Sequence, residues 1–238
     1  MKRIQSLLFL ISICLWLQAC KKSKSEAPTP TPIAVYKLDN KSAKNSMSSL
    51  LHGTIKGNPL SAPDSFGVAN ASLQCNGNDF VEVADSDLLD FTGNQFTFAA
   101  WLKPTHGVLQ RYIVYKHGGP GVFSPYSLDL VPGVVRAYIY TNTNEQFKIQ
   151  GTTEIVKNAW QHIAATFDGN KLTIYYNGKS EGSVAVDRPL NLSAGKLNIG
   201  HNDNSSSSGL VGCIDNVRIY DRALTAGQIN NLYKNYNQ

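Results

Sequence analysis

Two turn signals stand one strand length apart in the second half of the chain. Phe167-Asp168-Gly169-Asn170-Lys171 reads as a tight hairpin loop, and Asn177-Gly178 as the next turn, because both residues of that pair tolerate positive φ. Between them, "KLTIYYNG" puts Leu172, Ile174 and Tyr176 on one face. Upstream, "FTFAAWLKP" is apolar on both faces, as expected of a central strand covered on two sides. Strands this dense, without helical periods between them, predict an all-β sandwich or barrel. At 238 residues, 42% of them hydrophobic and 16% charged, the chain can bury one sizeable core.

The N-terminus lies outside this pattern. Met1-Lys2-Arg3 is a basic start, and Ile4 to Leu17 is an apolar run of signal-peptide length, too short for a comfortable membrane span. It ends in Leu17-Gln18-Ala19-Cys20, which resembles the lipobox of bacterial lipoproteins, where the cysteine becomes the acylated N-terminus. The expected division is a signal peptide over 1–19, a lipidated Cys20 with a Lys-, Pro- and Thr-rich tether over 20–33, and one domain over 34–238. Several acyl chains give lasting attachment to a bilayer that the protein does not cross. Pro28, Pro30 and Pro32 favour an extended, semi-rigid spacer that holds the domain away from the lipid. Lys21 after the cysteine, in place of an Asp that favours inner-membrane retention, points to the outer membrane of a bacterial cell envelope, with its side open.

Removing the leader and tether leaves 17 basic and 16 acidic residues, a net +1, which is no nucleic-acid footprint. At the far end, Thr225 and Gln228 form a capping box, and Ile229, Leu232 and Tyr233 give a short helix its apolar stripe. The loop "HNDNSSSSG", His201 to Gly209, is polar enough to be a binding surface or a plain connection.

"WQHIAATFDGNKLTIYYNG", "LNIGHN" and "GLVGCIDNVRIYDRALTAGQINNLY" together resemble the LamG-like members of the concanavalin A-like jelly-roll superfamily. "VYKLDN", "LLHGTI" and "LQCNGNDFVEV" resemble the opening segments of the same domain, so the resemblance runs from Ala34 to Tyr233. It implies two antiparallel sheets packed face to face, with the last strands beside the first. It also brings the strands of Cys75 and Cys213 together, and alternation gives both a core face, so they form either a disulfide or a pair of buried thiols.

The closing strand carries a puzzle. Strict alternation places Asp215 on the same apolar face as Cys213, Val217 and Ile219, and an ionised carboxylate is expensive there. Either alternation breaks at Asp215 or a partner sits nearby. The family resemblance implies calcium, held by this Asp and by oxygens following the first strand, which gives Asp39, Asn45 and Asp215 as ligands. Asn45 stands where the family has a carboxylate. A carboxylate satisfied by backbone amides or an arginine is the other reading, and alternation sends Arg218 to the opposite face.

The same superfamily includes retaining β-glucanases, whose two carboxylates stand about 5 Å apart. Their E-x-D-x-x-E strand is absent here, as are G-x-S-x-G and H-E-x-x-H, so no catalytic residues are assigned. The expected function is binding of a glycan, or of an envelope protein in an adhesion or scaffold role. For a glycan, "VVRAYIYTNTNEQ" offers Arg136, Tyr138 and Tyr140 on one face, with His201, Asn202 and Asp203, and further Tyr112 and His117, on neighbouring connections.

Overall fold

The computed structural model describes residues 26–105, 110–119, 121–202 and 208–235. Fifteen strands among them, numbered in chain order, form two antiparallel sheets. One sheet runs β13 (Lys179–Ala185), β12 (Lys171–Tyr176), β11 (Gln161–Phe167), β6 (Phe96–Pro104), β15 (Val211–Tyr220), β4 (Ser72–Asn76), β3 (Leu60–Ala62). Strand β1 (Ala34–Tyr36) joins it on the far half of β15, pairing Ala34 with Ile219 and Tyr36 with Val217. The other sheet runs β10 (Gln146–Gln150), β9 (Val134–Tyr140), β8 (Tyr126–Val131), β7 (Arg111–Lys116), β14 (Leu197–Ile199), β5 (Phe80–Val83), β2 (Gly53–Lys56). The architecture is the jelly-roll sandwich, with the last strand lying between the early ones.

The turns that constrain the sequence do so here. Asp168 Oδ1 accepts from the amides of Asn170 and Lys171 while Gly169 takes φ +94°, and Asn177 and Gly178 both adopt positive φ. Inward residues of both sheets build one core around Phe91, Phe96, Phe98 and Tyr126, whose rings meet at 4.6–5.7 Å between centroids. Each such side chain contributes roughly 1.5–3 kcal/mol by leaving water. The Tyr126 hydroxyl donates to the carbonyl of Leu89 at 2.7 Å, which satisfies its only polar atom. Lys116 is wholly buried at the end of β7, where its ammonium meets Asp85 at 2.5 Å and Asp90 at 3.6 Å.

The outer face of the eight-stranded sheet is closed by α1 (Ala226–Lys234), which buries Ile229 and Leu232 against Ala99, Ala164, Tyr175 and Tyr220. Tyr233 stacks on Trp101 at 5.7 Å, above the buried ring of His162. His162 thus lies buried on the helix-covered face of its sheet rather than between the sheets. The expected capping box is present: the Thr225 hydroxyl accepts from the Gln228 amide at 3.2 Å, and Gln228 Oε1 accepts from the Thr225 amide at 3.0 Å.

The described part of the tether is not a free spacer. Gln228 Nε2 also donates to the carbonyls of Ala27 (3.3 Å) and Pro28 (3.0 Å), the Thr225 hydroxyl donates to Glu26, and the Ile33 amide donates to Ile219. Residues 26–33 are thus clasped against the helix cap and β15 as a strap.

The closing strand also corrects the cysteine expectation. In the β15–β4 register Cys75 lies opposite Gly212 and Cys213 opposite Gln74, an offset of one residue. Side chains alternate, so Cys75 enters the core with Leu73 while Cys213 turns outward beside Ser72. Both are free thiols; neighbouring strands are close, but the sheet itself stands between the sulfurs.

Candidate functional site

Asp215 sits at a β-bulge. Asn216 takes φ +46°, and the β15–β6 register shifts between Asp215 and Arg218. Ile214, Val217 and Ile219 consequently face the core, whereas Cys213, Asp215 and Arg218 face outward. Alternation does break at Asp215, and Arg218 shares its side of the sheet, contrary to the strict period-two expectation. The Arg218 guanidinium donates to Asn216 Oδ1 at 3.0 Å.

Although outward, Asp215 is only 2% exposed, because strap and loops close over it. Its Oδ1 accepts from the Asn216 amide at 2.5 Å, and its Oδ2 has no hydrogen-bond partner among the described residues. Burial, reinforced by the nearby charges of Asp39 and Asp64, pushes its pKa up to about 8 against the pull of the Asn216 amide and Lys37. Burial also raises Asp39. All three carboxylates line a cavity of about 750 Å³, together with Met47, Val68 and strap prolines.

Asn45 is not available as a ligand. Its Oδ1 accepts from the amides of Val35 (2.9 Å) and Met47 (3.0 Å), and its Nδ2 donates to the Ile33 carbonyl (3.2 Å). Both lone pairs of that oxygen are used in fixing β1 to the following loop. Asp64, which sequence reasoning did not select, takes its place beside Asp39 and Asp215. Among the described residues no three His, Cys, Asp or Glu side chains form a metal-holding group by themselves. The cavity fits a cation through its orphaned carboxylate oxygen and the repulsion among its acids; backbone carbonyls and water would complete calcium's shell of roughly six to eight oxygens.

The outer face of the seven-stranded sheet has a different chemistry. Register places Arg136, Asp129 and Tyr112 in one cross-strand row, and Lys148, Tyr138, Ser127, Tyr115, Asn198, Glu82 and Thr54 in the next. Tyr112 and Tyr115 reach the same side because β7 bulges at Ile113, which hides the pair from a period-two reading. The Arg136 guanidinium grips the buried Asp129 through Nε at 2.9 Å and also through Nη2, and lies 5.6 Å from the Tyr138 ring centre. Gln110 adds a third hydrogen bond to that carboxylate at 2.7 Å.

Tyr140 stacks on the half-exposed Phe123 with centroids 4.7 Å apart and planes 9° from parallel, and Tyr115 packs edge-on against Tyr112 (5.0 Å) and His117 (4.8 Å). A cavity of about 430 Å³ opens beside them, lined by Tyr115, His117, Phe123, Ser124 and Lys196. Flanking Tyr115 in its row, Ser127 Oγ and Asn198 Oδ1 are buried without hydrogen-bond partners among the described residues. Aromatic faces and paired charges in one patch are what a sugar recognises.

Of the sequence candidates, Arg136, Tyr138, Tyr140, Tyr112 and His117 come together on this face. His201 is buried in a stack on Phe80 at 5.0 Å, beside β5, four strands and about 19 Å from β9 at ordinary strand spacing, while its loop returns beside β7, where the Tyr112 amide donates to the Ser208 carbonyl at 3.0 Å. Asn202 accepts from the Ser208 hydroxyl through its carbonyl, and Asp203 lies outside the described residues. Tyr115, Phe123, Ser127, Lys148 and Asn198 were not singled out by sequence. The outward carboxylates of this face, Asp129 and Glu82, lie three strands apart, about 14 Å. Paired carboxylates in glycoside hydrolysis stand about 5–9.5 Å apart. Each is also ion-paired, Asp129 to Arg136 and Glu82 to Lys196 and Lys56.

Comparison with known proteins agrees with this architecture. No curated protein matches the chain. Among solved structures, domain 4 of AbnA, a GH43 extracellular arabinanase from Geobacillus stearothermophilus in complex with arabinotriose, is 22% identical, with a TM-score of 0.67, over 85% of this chain and 98% of that one. The receptor binding domain of botulinum neurotoxin mosaic serotype C/D is 13% identical, with a TM-score of 0.66, over 86% of this chain and 50% of that one. The binding domain of botulinum neurotoxin DC in complex with SialylT is 15% identical, with a TM-score of 0.63, over 85% and 50%. The chain thus spans about half the length of the toxin domains. The Laminin_G_3 model, described as the concanavalin A-like lectin/glucanases superfamily, matches residues 76–230. With the closing strand returned between the opening ones of a two-sheet jelly roll, the chain belongs to that family.

Proposed function

We propose that this protein is a non-catalytic carbohydrate-binding module, attached to the outer membrane of a bacterial cell envelope by a lipid on Cys20. The observation that carries the binding role is the outer face of the seven-stranded sheet, where Tyr140 stacks on the half-exposed Phe123 and the Arg136–Asp129 pair lies beside Tyr138. Similar folds solved with arabinotriose and with SialylT support a sugar as the ligand class. The distance between Asp129 and Glu82, and their pairing with cations, supports binding without hydrolysis.

Cys20 lies outside the described residues. The strap that leads from it is clasped on the helix side of the sandwich, so the tyrosine face would look away from the anchor. A calcium ion held by Asp215 and Asp39, with Asp64 nearby, would neutralise the acid cavity and brace the strap, β1 and β15 together. Its role in this reading is structural.

A glycan array probed with the unacylated protein tests the binding role. Expected is retention of one polysaccharide class, lost in Tyr138→Ala/Tyr140→Ala protein that keeps its circular dichroism spectrum. Silence across the array, with specific capture of one purified envelope protein, would replace this reading with an adhesion or scaffold role.

A further inference from the structure

The clasped strap decides how far a lipid on Cys20 would let the domain stand from a membrane. Only residues 21–25 separate that cysteine from Glu26, where the Thr225 hydroxyl holds the chain to the helix cap. Six backbone steps reach at most about 20 Å. A domain of this length is roughly 40 Å across. An anchored molecule with its strap in place therefore keeps the strap side against the bilayer instead of floating above it.

That side carries exposed apolar side chains. Met47 (43% exposed) and Val68 (57%) line the cavity shared with Pro28, Pro30 and Pro32, and Leu50 (75%) lies three residues beyond Met47 in the same loop. Their loops are held in place. The Met47 amide donates to Asn45 Oδ1 at 3.0 Å, and the Val68 amide to Asp64 Oδ1 at 2.9 Å. The Ser46 amide donates to the Val35 carbonyl of β1 at 2.9 Å, so the Met47 loop runs beside the end of the strap. Single exposed apolar residues are ordinary on a protein surface, but a group of them mounted beside a membrane tether is not.

Charge points the same way. Lys37, Lys41 and Lys44 are exposed around these loops, and no ion pair to them is found among the described residues. The Asn40 amide donates to the Asn70 carbonyl at 2.7 Å, which holds the lysine-bearing segment beside the Val68 loop. The acids of the region are turned inward: Asp64 and Asp215 are buried and Asp39 is half-buried. Lys21, Lys22 and Lys24 add positive charge in the tether itself. Apolar tips among lysines suit an anionic bilayer, the tips at the acyl boundary and the ammonium groups among the headgroups.

Resting on the lipid-anchor reading, we propose that the strap side is a membrane-docking surface. Met47, Leu50 and Val68 enter the headgroup–acyl boundary of an anionic bilayer, and Lys37, Lys41 and Lys44 lie among its phosphates. The outer face of the seven-stranded sheet is thereby turned away from the lipid.

The processed chain, coupled through Cys20 to a maleimide lipid in phosphatidylethanolamine–phosphatidylglycerol vesicles, tests it; the other thiols, Cys75 and Cys213, are buried. Leu50→Trp is the reporter, with the tethered wild type as background for Trp101 and Trp160. Expected is a blue-shifted emission from the introduced indole, quenched by brominated acyl chains. Adding Lys44→Gln should lower the docked-to-free ratio about fivefold. Adding Val68→Asp should abolish the quenching in protein that keeps its melting temperature. Emission that stays that of an indole in water, or quenching untouched by both substitutions, overturns the docking surface. The anchor itself stands if mass spectrometry of protein from the native membrane finds Cys20 acylated, whereas an unmodified Cys20 overturns the anchor and the inference with it. A blue shift that brominated lipid does not quench, and that grows with protein density on the vesicle, overturns the inference by assigning the face to a second copy of the chain.

Discussion

Replacing Asp215 with Asn in chelator-treated protein should stabilise the fold at pH 8 and leave it nearly unchanged at pH 4. The folded protein holds the Asp215 proton up to about pH 8, whereas an unfolded chain releases it near the ordinary value of 3.8. Between those limits the unfolded state is the one that has lost the proton, so stability falls as pH rises from about 4 to about 8. At 1.36 kcal/mol per unit, a four-unit gap sets a ceiling on the order of 6 kcal/mol. Movement of the side chain and entry of water lower what is realised to about 2 kcal/mol. Asn keeps an oxygen for the Asn216 amide and brings no charge into the cavity. For a domain of this size 2 kcal/mol corresponds to roughly 4–8 °C in melting temperature. Scanning fluorimetry at both pH values in EDTA measures it, and adding calcium at pH 8 should raise the wild-type protein but not the variant. An equal gain at pH 4 and pH 8, or a loss at pH 8, would refute the reasoning.

Lys116→Met leaves Asp85 and Asp90 without their shared cation and should cost about 2–4 kcal/mol in urea unfolding; a change below 0.5 kcal/mol would contradict the arrangement. Burial, with Arg218 nearby, holds the His162 imidazole down to a pKa of about 3, so stability should decline as pH falls from about 6.5 toward 3, and His162→Gln should flatten that acid limb of a melting-temperature profile. Alkylation in denaturant without reductant should label both Cys75 and Cys213; a mass two hydrogens short with no label would restore the disulfide.

The strands, their turns and the capped helix were legible because each is specified locally, by alternation, by Asn177-Gly178 and by Thr225 with Gln228. What was not legible turned on single inserted residues. Asn216 and Ile113 each add one position to a strand, and a period-two pattern read past such a bulge assigns every later side chain to the wrong face. That is why Arg218 was placed opposite Asp215 and why Tyr115 was not grouped with Tyr112. The cysteine expectation failed differently, since it needed a cross-strand register that sequence does not state. Asn45 was placed in the right neighbourhood and given the wrong task, because a side-chain amide that braces backbone and one that holds an ion look alike in a sequence.

The strap binds the helix cap through a handful of individual hydrogen bonds around Gln228 and Thr225, and only then enters β1. Tension applied through the tether would therefore meet those contacts one after another before it reached the sheets. Under load the tethered end would lengthen by peeling, like a seam opening stitch by stitch, while the far sheet kept its shape.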